Sequence, residues 1–236
     1  TIGNQGNARQ RWITYRDYMV YKNFTVGSPL CPINSLMTHG LIVSGFGNSG
    51  GNPPRAMEDD PSACTVAEIT KEMRCAFACG SSLVELYIDH ELMTNKENGK
   101  LWRELAECIK WHRNNADVLD DTHWVGGNPW DGSKANIYGW ASWNGEEAVL
   151  TLRNPSATEQ SFTTTLRQAL DIPDYITGSV ILSDAFEGQT QYIGISNSKI
   201  DIDENITFNM PAFDVVVLNG ICKSKKQHSY CKNNKK

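Results

Sequence analysis

A chain of 236 residues, 40% of them hydrophobic and 21% charged, has the composition of a folded globular protein and the length of one large domain or two smaller ones. Its 22 Lys plus Arg stand against 27 Asp plus Glu, a net charge of -5, so no broad cationic field draws a nucleic-acid backbone or an anionic membrane surface. No apolar run reaches the roughly 20 residues that a bilayer-spanning helix needs.

The chain opens on Thr1 instead of Met, as expected of a processed product or a piece of something longer, and its first ten residues lack the basic flank and apolar core of a leader. From Trp12 to Val26 it is aromatic-rich and interrupted by Arg16 and Asp17. Asn34 to Phe46 is mainly apolar. Parts of both segments are expected to form strands or strand ends. The Gly, Asn and Pro stretch Gly47 to Pro54 reads as a loop, and a long loop after a strand often rims a site. Thr65 and Glu68 form a capping-box pattern ahead of Ile69, Met73, Ala76 and Phe77, which repeat at helical spacing until Gly80 supplies a stop.

Ser82 to Ile88 predicts a strand with apolar residues on both faces except at Glu85, and Lys100 to Ala116 a second amphipathic helix. This order of elements indicates α/β architecture. After about Asp131 the pattern turns all-β. Asn144-Gly145 joins Tyr138–Trp143 to Glu146–Leu152 as a hairpin, Ser161 to Leu166 is strand-like, and Pro211 divides Ile206 to Leu218 into two strands. Short strands spaced by turns imply a sandwich. Lys223 to Lys236 carries six lysines and is expected to be a disordered tail.

The seven cysteines include no paired CxxC units and no His at zinc spacing, so no metal site is expected. Cys75 and Cys79 share a helix face and read as buried thiols. With neither a G-x-G-x-x-G after a strand nor a phosphate-loop motif, no cofactor is expected.

The segments Asn115–Leu119, Asp121-Thr122-His123-Trp124-Val125-Gly126-Gly127, Tyr138-Gly139-Trp140-Ala141-Ser142-Trp143 and Leu150–Ser156 together resemble the C-terminal half of bacterial melibiase-like glycoside hydrolases, relatives of the α-galactosidases. The resemblance runs over about residues 10–220 and implies a (β/α)8 barrel followed by an antiparallel β-sandwich. On that basis residues 1–131 correspond to the later strands of the barrel, residues 132–222 to the sandwich and residues 223–236 to the tail. A whole barrel takes about 250 residues, so the first four or five strands are not in this stretch. The partner implied is an N-terminal barrel segment of the same protein, and export from the cytoplasm is implied with it.

Such enzymes are retaining glycosidases. One carboxylate attacks the anomeric carbon while a second group protonates the leaving oxygen, from the ends of the fourth and sixth barrel strands respectively. The family's acid/base stands in a segment of the type Trp-Arg-(Ile/Thr)-Ser-x-Asp. Trp12-Ile13-Thr14-Tyr15-Arg16-Asp17 keeps the Trp and the Asp at that separation but lacks the Arg and Ser in register. Asp17 is thus the candidate acid/base, with a rim or surface ion pair to Arg16 as the competing reading. The nucleophile would lie on a strand upstream.

Trp12, Tyr15 and Arg16 are candidates for sugar stacking and binding around Asp17. His39, in an apolar stretch, reads either as a satisfied core histidine or as a strand-end ligand of a sugar hydroxyl. Glu85, alone in its strand, needs a pocket or an ion pair. Asp89 would stand at the C-terminal end of a barrel strand, where such enzymes place their sites. Trp124 and Trp130 are expected to anchor the two domains. The function implied is hydrolysis of α-linked galactose-like sugars. The alternative is a non-catalytic carbohydrate-binding or interaction protein built on the same scaffold.

Overall fold

The computed structural model describes residues 15–27, 32–43, 65–88 and 90–226. The chain opens on a short helix, α1 (Tyr15–Val20), which continues into a π-helical turn over Tyr21–Val26. Asp17 and Val20 are buried and Tyr21 packs on the core beside them, a helical period and not the alternation of a strand. The strands expected within Trp12–Val26 are therefore replaced by helix wherever this stretch is described.

Strand β1 (Met37–Val43), helix α2 (Val66–Ala78) and strand β2 (Leu83–Ile88) follow, and the two strands pair in parallel. Thr65 caps α2 as its pattern predicts, its hydroxyl accepting the Glu68 N–H at 3.2 Å, which satisfies one donor at the open helix end. The stop comes at Gly80, whose φ of +73° favours glycine, and a Cβ there would run into the Thr122 side chain. Helices α3 (His90–Asn95), α4 (Lys100–Asn114) and α5 (Ala116–Leu119) complete this part. Leu101, Leu105, Cys108 and Trp111 form the buried stripe of α4, which packs against α2.

The β part consists of β3 (His123–Gly126), β4 (Tyr138–Trp143), β5 (Glu147–Arg153), β6 (Gln160–Thr165), the one-turn helix α6 (Leu166–Ala169), β7 (Ile176–Asp184), β8 (Lys199–Asp201), β9 (Asn205–Met210) and β10 (Val215–Lys226). Six strands form one antiparallel sheet in the order β3-β4-β5-β10-β7-β8, and β6 pairs with β9 in a second, two-stranded sheet. The larger sheet is covered on both faces. Tyr138, Trp140, Val149, Val215 and Val217 enter a core shared with α2 and α4, while Ala141, Leu150, Leu152, Val216 and Leu218 enter a second core with Phe208 and Met210 of β9. Double coverage explains why Val215 to Leu218 is an unbroken apolar run.

Four expectations change. β3 already belongs to the large sheet, so the antiparallel structure begins ahead of residue 131. The sheet is expected to pack on the helix Lys100 to Ala116; α4 does reach β10, where Trp111 Nε1 donates to Asn219 Oδ1 at 3.0 Å, but α2 touches both β5 and β10 and takes more of the contact. Lys223 to Lys226 are not tail but the end of β10, paired with β7 as far as Lys226 opposite Ile176, because a neighbouring strand satisfies their backbone whatever their charge; residues 227–236 lie outside the described residues. Trp124 is buried as an anchor should be, whereas Trp130 is 40% exposed.

The α/β part followed by an antiparallel β part is the order that the resemblance implies. Among the described residues the parallel sheet has only the strands β1 and β2.

Candidate functional site

In β2, Val84, Leu86 and Ile88 pack against the helix-side core. Strand alternation assigns Leu83 and Glu85 to the opposite face, and Leu83 is 58% exposed there. Glu85 is half-buried, with one carboxylate oxygen shielded from water. Thr38 pairs with Val84 and Leu41 with Leu86, and the register shifts between them. His39 and Gly40 therefore lie opposite Glu85 alone, a bulge of the kind that re-aims side chains near active sites. The structure thus brings His39 and Glu85 to one level of adjacent strands. β1 and β2 end together, Val43 opposite Ile88. Asp89 and Trp12 lie outside the described residues.

Asp17 does not join that level. It sits in α1, not at a strand end, and is fully buried, accepting the Tyr138 hydroxyl proton at 2.5 Å. The Tyr138 ring is held in turn by Trp124, stacked at 5.0 Å and 3°, and by Trp140, edge-on at 5.5 Å. Tyr21, just past α1, reaches the same Trp124 at 5.6 Å. A proton donor in glycoside cleavage must face the cavity that holds the leaving oxygen. Asp17 is enclosed between α1 and the sheet, so neither that geometry nor a surface ion pair describes it. Tyr15 and Arg16 are placed with it on α1.

Opposite Tyr138 across the β4–β5 ladder stands Arg153, 1% exposed, whose Nη1 donates to Glu72 Oε2 of α2 at 2.6 Å, with the Cys75 sulfur 4.0 Å away. Burial works against the charge of this guanidinium. Burial is the largest single effect, but the Glu72 carboxylate, Tyr138, Cys75 and Asp17 together outweigh it, and the Arg153 pKa is raised. One layer further, Thr151 donates to the Ala78 carbonyl at 3.1 Å. Asp17, Tyr138, Arg153 and Glu72 thus form a buried polar line that fastens α1 and α2 to the sheet. Sequence reasoning missed Glu72, Tyr138 and Arg153 as a group. The one signal was the presence of an Arg and a Glu in otherwise apolar elements.

Among the described residues no group of three His, Cys, Asp or Glu side chains could hold a metal ion, and no helix is long and apolar enough to cross a membrane. Cys75, Cys79 and Cys108 are buried, as expected for the first two. Burial pushes the Cys108 thiol up to about 12.

No family model and no curated protein matches the chain. Solved structures do. An α-galactosidase from Saccharomyces cerevisiae, solved with raffinose, matches 65% of this chain and 43% of its own at 8% identity and a TM-score of 0.43. For α-galactosidase I from Mortierella vinacea the figures are 64% and 34%, 14% identity and 0.41, and for a β-L-arabinopyranosidase from Geobacillus stearothermophilus 64% and 30%, 10% and 0.39. The match spans less than half the length of each of these proteins. The solved structures that the chain matches are those of α-galactosidases and related glycosidases.

Proposed function

We propose that the chain is the C-terminal part of a retaining glycoside hydrolase acting on α-linked galactose-like sugars, with β1 and β2 as late strands of a (β/α)8 barrel and the antiparallel part as its β-sandwich. The observation that carries this reading is the parallel β1–α2–β2 unit lying directly ahead of an antiparallel sheet that docks on the same helix, the order implied by the sequence resemblance. Two parallel strands with Leu83 exposed on one face are a fragment of a larger sheet, since parallel sheets are covered on both faces. An N-terminal barrel segment of the same protein would supply the neighbouring strands and cover Leu83.

In the completed barrel, Glu85 would face the interior with His39 level with it on the neighbouring strand, and Asp89 would follow Ile88 at the C-terminal rim. Their chemistry suits binding of sugar hydroxyls. The nucleophile and the acid/base come from other strands, because Asp17 is occupied in the junction. The alternative, a non-catalytic carbohydrate-binding protein, is favoured by that burial of the one carboxylate matched to the acid/base motif.

The test is hydrolysis of an aryl α-galactoside by the intact protein, followed by proton NMR of the first sugar released. Turnover with retained α-configuration supports the proposal. Sugar binding without turnover of any α-glycoside would leave the non-catalytic alternative.

A further inference from the structure

A second polar site lies between the helices and the sheet. Ala67, Thr70, Lys71 and Arg74 share one face of α2, and this face, the start of α4 and the segments 187–190 and 214–215 wall a cleft of about 170 Å³. A cavity of about 150 Å³ admits benzene, so this cleft has room for one six-membered ring. Arg74 forms part of the wall. Its guanidinium lies 5.0 Å over the Phe186 ring, and Nη2 donates to Glu104 at 3.0 Å and to the Glu187 carbonyl at 2.8 Å.

Among the described residues the Arg74 Nε and the Thr70 hydroxyl, one helical turn apart, are buried without a hydrogen-bond partner, in side chains 8% and 7% exposed. Native proteins rarely leave such groups unsatisfied, and two together in the wall of one cleft point to a partner that enters it, an ordered water or a ligand. The charges of the lining already answer one another. Arg74 pairs with Glu104, and Lys71 lies 3.6 Å from Asp214, whose carboxylate also accepts from Tyr192 and Thr190. An ionic ligand would have to break one of these pairs, whereas a neutral polyhydroxyl ligand adds hydrogen bonds and leaves them intact.

We propose that this cleft binds one neutral sugar unit, with the Thr70 hydroxyl and the Arg74 Nε–H as its specific contacts. Lys71 and Lys100, whose side chains are 29% and 46% exposed, move aside to admit it. The choice of a hexose rests on the glycosidase reading; the site itself does not.

The experiment is hydrogen–deuterium exchange on the intact protein with galactose, and separately with galacturonate as an anionic probe, for the wild type, Thr70→Val and Thr70→Ser. Galactose should protect α2 and residues 185–190, and galacturonate should not. Thr70→Val should weaken the protection about tenfold in apparent affinity, the worth of one lost hydrogen bond, while Thr70→Ser retains it. Because Thr70→Val removes an orphaned hydroxyl at nearly constant shape, it should melt no lower than the wild type. The proposal is overturned by no protection with galactose, by equal protection with galacturonate, by full protection in Thr70→Val, or by a lower melting temperature in Thr70→Val, which would mean that the hydroxyl has a partner. Hydrolysis of an aryl α-galactoside is read in parallel, so that failure of the cleft and failure of the glycosidase reading are separate results.

Discussion

Asp17→Ala separates a junction residue from a proton donor. The substitution removes the acceptor of the buried Tyr138 hydroxyl, which costs about 1–3 kcal/mol for the orphaned group. It also removes a negative charge that helps to hold Arg153 charged and leaves a small void, so a total of about 2–4 kcal/mol is expected. For a chain of this size each kcal/mol is about 2–4 °C, which puts the fall in Tm at roughly 5–15 °C. Thermal unfolding followed by tryptophan fluorescence is the assay, because Trp124 stacks on the Tyr138 ring. In a double-mutant cycle Asp17→Ala and Tyr138→Phe should be less than additive by about 1–2 kcal/mol, since each removes the same hydrogen bond. The reasoning is refuted if Asp17→Ala keeps the wild-type Tm while turnover falls chiefly for substrates with poor leaving groups, the signature of a missing proton donor.

Arg153→Met strands the buried Glu72 carboxylate and should lower stability by about 3–5 kcal/mol, while adding Glu72→Met should recover most of it; urea midpoints of the two variants check this. Cys108, its thiol pushed up to about 12 by burial, should resist a thiol reagent at about pH 8 in the native protein and react once denaturant is added, as mass spectrometry of the labelled peptides would show. Asp131 is held below the usual carboxylate range by the Lys134 backbone N–H and then the Ser133 hydroxyl and N–H. The stability it lends its loop is therefore present above the ordinary carboxylate pKa of about 4 and is lost as pH falls below it. Amide exchange across residues 128–136 should accelerate at acid pH relative to other loops, and Asp131→Ala should abolish that difference.

Much of the frame was legible because its signals are local. Thr65 and Gly80 bracket α2, Asn144-Gly145 turns β4 into β5, with Gly145 at φ +102°, and Pro211 separates β9 from β10. β7 escaped notice although Val180 and Leu182 alternate with the exposed Ile181, and β8, the second of its two partners, is three residues long and too short to carry a period. α1 was misread because aromatic residues suit strands as well as helices, and the decisive contacts of Asp17 are remote. Its partner Tyr138 is 121 positions away, and Arg153 lies 81 positions from Glu72. No local pattern specifies pairs at that distance. The bulge that sets His39 and Glu85 level is likewise a property of register, which exists only once two strands meet.

The central claim is that β1 and β2 are late strands of a closed barrel whose sandwich is the antiparallel sheet. A crystal structure of the intact protein tests it most directly. The account predicts further parallel strands hydrogen-bonded to the outer edges of both β1 and β2, with Leu83 covered and Glu85 facing the barrel interior. A pair that remains two-stranded, with Leu83 still in solvent, would contradict it.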